Sequence, residues 1–357
     1  MICVVTVVDS VSATSMPINE FVIYRSVHSY PIKQILLVGD NKNTSDVIIP
    51  EEVVVIFTGN DRKKIRNAVA EIEKENAKNG IKTVYHLHHQ KSAFAFFSAV
   101  CFLGVKKKTL FTVHSTYSQR DIKYRLSSIF CALNAKKVNC VSFAALKEYS
   151  TFVKALKRKS VFAVPNGVDT ERIDRAIDKT DKRDRNALVC VGRMIPLKNH
   201  EFLIRLMTLL TKNKLLLIGA EDGGTIRALA EKLGVADRVE FAGLIGRDEV
   251  FSRISGCAIY LSASKTEGLP VSVLEAGYAG LLPVISDIAP HVEIAEKCKD
   301  ICVLPLDLEI WAKNVRALSQ SPDLFEKCER LSKDIKENFS LEKMHEKYFS
   351  VYEELAK

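Results

Sequence analysis

No stretch of this sequence is apolar for long enough to cross a bilayer. The most apolar run, residues 92–105, is closed by Lys91 on one side and by Lys106, Lys107 and Lys108 on the other. It falls well short of the roughly 20 residues that a spanning helix needs and reads as a buried helix. No Cys-x-x-Cys pair occurs. The nine cysteines, an odd number, are scattered through apolar segments, which excludes a zinc or dithiol framework and fits reduced thiols in a cytoplasmic compartment. No glycine turn completes the Gly-x-Gly-x-x-Gly fingerprint with its downstream acid, which sets aside a dehydrogenase. Repeats and low-complexity tracts are also missing. Ile2 to Val8 follows Met1 with no basic segment before it, so the start reads as a strand rather than a leader.

What is present is ordinary in bulk and uneven in detail. The 357 residues, 47% hydrophobic and 27% charged, suit two α/β domains that each bury a core. The net charge of +9 divides unequally: residues 1–165 hold 24 Lys and Arg against 12 Asp and Glu, and the remainder is slightly acidic. Such a surplus points to an anionic partner for the first half, a membrane leaflet or a lipid-phosphate acceptor. Nucleic acid is not expected, because no aromatic residues interleave with the lysine clusters in a stacking pattern.

Short β-branched runs alternate with helical patterns along the whole chain, the signature of parallel sheets with crossover helices. Strands are expected at 2–8, 34–38, 53–57, 83–87, 110–113, 138–141 and 161–164, then at 187–191, 214–218, 238–241, 258–261, 283–285 and 301–304. The fold class is therefore α/β with two doubly wound, Rossmann-like domains, 1–168 and 187–338. Residues 169–186 contain almost no large apolar side chain and read as a linker. The segment 339–357 carries apolar or aromatic residues at 341, 344, 348, 351, 352 and 355, a helical stripe expected to pack back on the first domain.

Four stretches carry candidate chemistry. Gly192-Arg193, with Lys198 five residues on, leaves a buried strand at its carboxyl end, where α/β proteins bind ligands, and the two cations suit a diphosphate. Glu267 and Glu275 stand eight positions apart with Gly268-Leu269-Pro270-Val271-Ser272 between them. Carboxylates suit sugar and ribose hydroxyls, and free amides at a helix start suit an anion. Pro165-Asn166-Gly167-Val168-Asp169 is a turn at the end of the first domain. The glycine-rich turn at 217–225 is weak evidence for a nucleotide.

In order and spacing, the Glu-x7-Glu pair (Glu267, Glu275), the Gly-Arg-x4-Lys set (Gly192, Arg193, Lys198), the Pro-Asn-Gly-Val-Asp turn and Glu240-Phe241-Ala242-Gly243-Leu244 resemble the family-4 retaining glycosyltransferases, also called glycosyl transferases group 1. The resemblance implies a GT-B fold, with two Rossmann-like domains facing each other across a cleft. It further implies that Arg193 and Lys198 hold the donor diphosphate, Glu275 the ribose, Glu267 the transferred sugar, and the amides of Gly268, Leu269, Val271 and Ser272 the phosphate or sugar. Asn166 belongs to the same donor site, and the base lies along Ala242 to Ile245, including Gly243 and Leu244. His114 matches the histidine beside the reacting sugar, with His88 and Ser115 near it on the acceptor side. The family's glycine pair after the first strand is absent, and a loop containing Ser12 and Ser15 takes its place as an acceptor contact.

The implied activity is transfer of a hexose or N-acetylhexosamine from a nucleotide sugar, UDP favoured over GDP, to a glycan acceptor expected to be lipid-linked, in surface polysaccharide or glycoconjugate synthesis. No Asp-x-Asp triplet occurs, and neither metal nor cofactor is expected. The histidine spacing at 86, 88 and 114 is strand alternation rather than a metal-ligand pattern. The rival readings are a nucleotide-sugar 2-epimerase of the same fold and a non-catalytic nucleotide-sugar-binding subunit. The protein is expected in the cytoplasm, at most peripheral at the inner membrane face.

Overall fold

The structure is a computed structural model that describes every residue except 13–14, 41–46, 102, 115–116, 118–120, 178–182 and 222. It divides into two compact units, Met1–Asn166 with Glu342–Lys357, and Gly167–Leu341.

The first unit is built on β1 (Ile2–Val8), β2 (Ile32–Val38), β3 (Val54–Phe57), β4 (Lys82–Leu87), β5 (Thr109–Val113), β6 (Lys137–Cys140) and β7 (Val161–Ala163). They form one parallel sheet in the order β3-β2-β1-β4-β5-β6-β7. Side chains alternate between two cores: Ile35 and Leu37 face one, Leu36 and Val38 the other. Because both faces are covered, the strands read as unbroken apolar runs. Helices Arg62–Lys78, Gln90–Ala99 and Ile122–Asn134 cover the first face with Ile65, Val69, Phe96, Phe97 and Cys131.

The second face takes Ile18 and Val22 from the π-helix Pro17–Ile23. No helix was expected there, because Asn19 and Glu20 are buried along with the apolar residues and no polar face marks the segment. The terminal helix Leu341–Leu355 also contributes to the first unit. Its buried Met344, Tyr348 and Tyr352 belong to the expected stripe, and His345 is buried beside them. Asn139 Nδ2 donates to the Tyr348 hydroxyl at 2.8 Å, and Lys137 pairs with Glu354 at 2.6 Å.

The second unit is built on β8 (Asp184–Val191), β9 (Lys214–Ile218), β10 (Val239–Gly243), β11 (Cys257–Ser262), β12 (Leu282–Ser286) and β13 (Cys302–Leu304). These are parallel in the order β10-β9-β8-β11-β12-β13. All thirteen strands among the described residues fall within a few residues of the expected spans.

The stretch read as a linker is different. Asp169 caps helix Thr170–Ala176, its carboxylate accepting from the Arg172 amide at 2.9 Å, and β8 already begins at Asp184. Ile173 is the buried apolar anchor, and the Tyr278 hydroxyl donates to Asp174 at 2.9 Å. Two turns held by one apolar residue and polar contacts leave little trace in hydropathy.

In each sheet the strand order reverses beside the first strand, between β1 and β4 and between β8 and β11. Crossovers leave in opposite directions from such a point, opening a crevice at the strands' carboxyl ends.

Candidate functional site

In the second unit, the loops leaving β8 and β11 meet at this reversal. The Lys265 amide donates to the Leu197 carbonyl at 2.8 Å, so the two loops are stitched by backbone. Lys198 Nζ lies 2.6 Å from Glu267 Oε1, with both side chains mostly buried. Ser264 Oγ donates to the same oxygen at 2.7 Å. Behind this pair, the Ser286 hydroxyl donates to the Ser264 carbonyl, and His291 Nδ1 sits 2.7 Å from the Ser286 carbonyl. Burial holds the His291 pKa down at about 4, so its ring is neutral. Lys198 uses one of its three N–H donors on Glu267. Arg193 is exposed, and its guanidinium makes no hydrogen bond or ion pair among the described residues.

Glycines set the closeness of the neighbouring loops. The Gly192 amide donates to the Ile218 carbonyl and the Gly219 amide to the Gly243 carbonyl, each at 2.8 Å. A Cβ on Gly219 would stand 2.2 Å from the Gly192 carbonyl oxygen, at a φ of +144°. This explains Gly219 as a close backbone approach to the exit of β8. The Tyr260 hydroxyl, 2.9 Å from Ser272 Oγ and 3.3 Å from the Val191 carbonyl, ties the start of helix Val271–Tyr278 to the exit of β8. Gly268 and Leu269 lie on the loop into that helix and Val271 at its first turn.

Glu275, one turn further along that helix, forms an ion pair with Arg247. Arg247 opens helix Arg247–Ser255, just after the exposed Leu244 and the segment expected to meet a base. The two glutamates are therefore held by different cations. Sequence reading missed Arg247, although Gly246-Arg247 repeats the Gly-Arg pattern of Gly192-Arg193 near a strand's carboxyl end.

The first unit has its own crevice. Asp9, directly after β1, accepts from the Ser92 amide at 2.7 Å, and its own amide donates to His89 Nδ1 at 2.9 Å. His88 Nδ1 lies 3.1 Å from His114 Nε2. Asp9, His88, His89 and His114, with Lys91, Lys123 and Tyr124, line a cavity of about 680 Å³, within the usual size for a small-molecule site. Burial, with His89 adding to it, lowers the His114 pKa to about 3, so His114 works as a neutral hydrogen-bonding group.

His86 lies deeper. Its ring nitrogens sit 2.7 Å from the Tyr352 hydroxyl and 2.7 Å from Thr112 Oγ1. Arg25 donates to the same Tyr352 oxygen, which leaves the phenolic hydrogen for His86 Nδ1. His86 is thus a structural residue with both nitrogens engaged. Among the described residues no three His, Cys, Asp or Glu side chains cluster as metal ligands do.

The structure brings His88 and His114 together, and the Ser15 amide donates to the Ser12 carbonyl at 3.0 Å just before helix Pro17–Ile23. Ser115 lies outside the described residues. Asn166 is buried at the end of the first unit. Asp9, Lys91 and Tyr124 were not anticipated. The signal available was an acid placed directly after the first strand, at the sheet's reversal.

Residues 35–172 match the family described as Glycosyltransferase Family 4, and residues 172–338 match Glycosyl transferases group 1. The chain belongs to the family-4 glycosyltransferases. The chain is 26% identical over 248 residues to the phosphatidylinositol N-acetylglucosaminyltransferase GPI3 subunit of Saccharomyces cerevisiae, covering 64% of this chain and 52% of that one. It is 30% identical over 169 residues to the GDP-mannose-dependent alpha-(1-6)-phosphatidylinositol monomannoside mannosyltransferase of Mycobacterium tuberculosis, covering 41% of this chain and 43% of that one. The chain spans about half the length of the curated relatives it matches.

Among solved structures, sucrose-phosphate synthase from Thermosynechococcus elongatus superposes with a TM-score of 0.80 at 14% identity, covering 99% of both chains. HepE of Anabaena, in complex with UDP and glucose, gives a TM-score of 0.79 at 13% identity, covering 99% of this chain and 100% of that one. The fold of the chain is GT-B, two Rossmann-like α/β domains.

Proposed function

We propose that this glycosyltransferase moves a hexose or N-acetylhexosamine from a nucleotide sugar to a lipid-linked glycan acceptor, with retention of anomeric configuration and without a metal ion. The observation that carries the proposal is the joining of Lys198 and Glu267 at the reversal point of the second sheet, with Arg193 on the same loop making no ion pair among the described residues. In this reading Lys198 and Arg193 bind the donor diphosphate and neutralise the charge that grows on it as the anomeric carbon–oxygen bond breaks. The opening turn of helix Val271–Tyr278 adds backbone amides and a positive dipole end toward the same phosphates.

Glu267, oriented by Lys198 and Ser264, accepts from hydroxyls of the transferred sugar. Glu275 accepts from the ribose, with Arg247 compensating its charge before the nucleotide arrives. The acceptor lies in the first unit's cavity beside His114. Its hydroxyl oxygen bonds to the anomeric carbon on the face the diphosphate leaves, and its proton passes to the departing diphosphate. No side chain is assigned as nucleophile.

UDP is favoured over GDP because HepE, of the same fold, was solved with UDP. A lipid-linked acceptor follows the phosphatidylinositol substrates in the relatives' names. A cytoplasmic setting is supported by the cysteines, which are all free thiols. Burial pushes Cys131, Cys140, Cys190 and Cys257 up to about 12, so they stay protonated and inert.

The test is incubation of the full chain with UDP- and GDP-sugars, with and without a lipid-linked glycan fraction, followed by product analysis and NMR assignment of the anomer. Sugar transfer that needs the acceptor, survives EDTA and gives the donor's own anomeric configuration is expected. Release of an epimer without acceptor, or nucleotide binding without transfer, would overturn the proposal.

A further inference from the structure

The helix Ile122–Asn134 buries Ser128, Cys131 and Ala132 against the first unit's core. On its opposite side Ile122 is 66% exposed and Leu126 61%, with Leu133 exposed in line with them. At 3.6 residues per turn these three fall within about 40° of one another, on the face where a surface helix ordinarily carries charge. The helix Thr151–Lys157 repeats the pattern with Phe152 56% and Leu156 60% exposed.

The two helices lie side by side. Ser128 Oγ is 3.0 Å from the Tyr149 hydroxyl just before the second helix, and Lys157 Nζ at its end donates to the Ala135 carbonyl at the end of the first. Around them stand Lys123, Lys136, Lys147, Arg158 and Lys159, all exposed and without an ion pair among the described residues. Between positions 121 and 160 there are nine Lys and Arg against two Asp and Glu.

From this juxtaposition we infer that the exposed apolar stripe of the two helices, with its surrounding cations, docks on the surface of an anionic phospholipid bilayer. Apolar side chains enter the acyl boundary while the lysines and arginines meet lipid phosphates. A second copy of the chain is the poorer occupant, because a two-fold contact through this face would set its cations against their own images. The helix Ile122–Asn134 also lines the first unit's cavity through Lys123, Tyr124 and Ser127, so a membrane-borne acceptor would reach that cavity along the docked face. This last step rests on the glycosyltransferase reading; the docking itself does not.

The full chain is sedimented with vesicles of phosphatidylcholine alone and of phosphatidylcholine with phosphatidylglycerol. It is expected to pellet with the anionic vesicles and to lose most of that binding at high salt. The quadruple variant Ile122→Ser, Leu126→Ser, Phe152→Ser, Leu156→Ser should partition about 100-fold less, keep its cooperative unfolding and still consume donor with a short soluble acceptor. Wild-type protein that stays in the supernatant, a quadruple variant that pellets as well, or a concentration-dependent dimer abolished by the same substitutions would each overturn the inference. Vesicle binding without donor turnover would uphold docking and instead sink the glycosyltransferase reading.

Discussion

At the scale of single residues the account turns on where charge is placed before substrate arrives. Lys198 is already held by Glu267, and Arg193 makes no ion pair among the described residues, so in the proposed reading a diphosphate would meet one oriented cation and one adaptable cation. Lys198→Ala and Arg193→Ala should each lower kcat by about 10²–10³ with the fold intact, measured as nucleoside-diphosphate release under saturating donor. Arg247→Ala leaves Glu275 without the cation that compensates it, and should raise the donor KM more than it lowers kcat. Because His114 is held near 3 by burial, it is neutral throughout the working range. The pH profile of kcat/KM between pH 5 and 8 should therefore be the same in wild type and in His114→Asn, at different heights. A limb near pH 6 that disappears in the variant would show that His114 titrates there.

At the scale of elements, the strands were legible because parallel strands covered on both faces are unbroken β-branched runs, as at Ile35 to Val38. Helix Leu341–Leu355 was legible because its buried residues keep a helical period. Helix Thr170–Ala176 was not, since it rests on Ile173 and a capping aspartate. The π-helix Pro17–Ile23 was not, since its buried Asn19 and Glu20 break the polar-out pattern.

The close approach of Gly219 to Gly192 makes its own prediction. Gly219→Ala forces a Cβ into the Gly192 carbonyl oxygen at a φ that an L side chain rarely adopts, and should destabilise the second unit by about 2–4 kcal/mol in urea unfolding. In the terminal helix, Tyr348→Phe leaves the buried Asn139 amide without its acceptor. It should cost the first unit about 1–3 kcal/mol.

At the scale of the molecule, the sequence pattern carried the two-domain α/β architecture and the paired motifs of the second unit, because those depend on residue type and spacing along the chain. It did not carry the partners that come from distant positions: Arg247 on Glu275, or Arg25 and Tyr352 beneath His86. These depend on which crossover returns over which strand.

The buried histidines of the first unit set its response to acid. Burial, with Arg25 as the next cause, holds His86 and His345 well below the ordinary histidine value, and burial with His86 does the same for His88. Each stays neutral in the fold, while the unfolded chain takes up a proton below about pH 6.5. Each therefore contributes stability that is fully present above that pH and is lost at about 1.4 kcal/mol per pH unit as the pH falls. The Tm of the first unit should drop steadily from pH 7 to pH 5, and more gently in His345→Gln corrected for its own baseline. A flat Tm over that window would contradict the assignment of neutral buried rings.

The central claim is that one activated sugar is gripped by the cations and glutamates of the second unit. Calorimetric titration of the full chain with UDP and with GDP tests it most directly, beside Lys198→Ala and Glu275→Ala. The account predicts one saturable site per chain in the wild type, weakened at least tenfold in both variants. A nucleotide that binds all three proteins equally, or none of them, would contradict it.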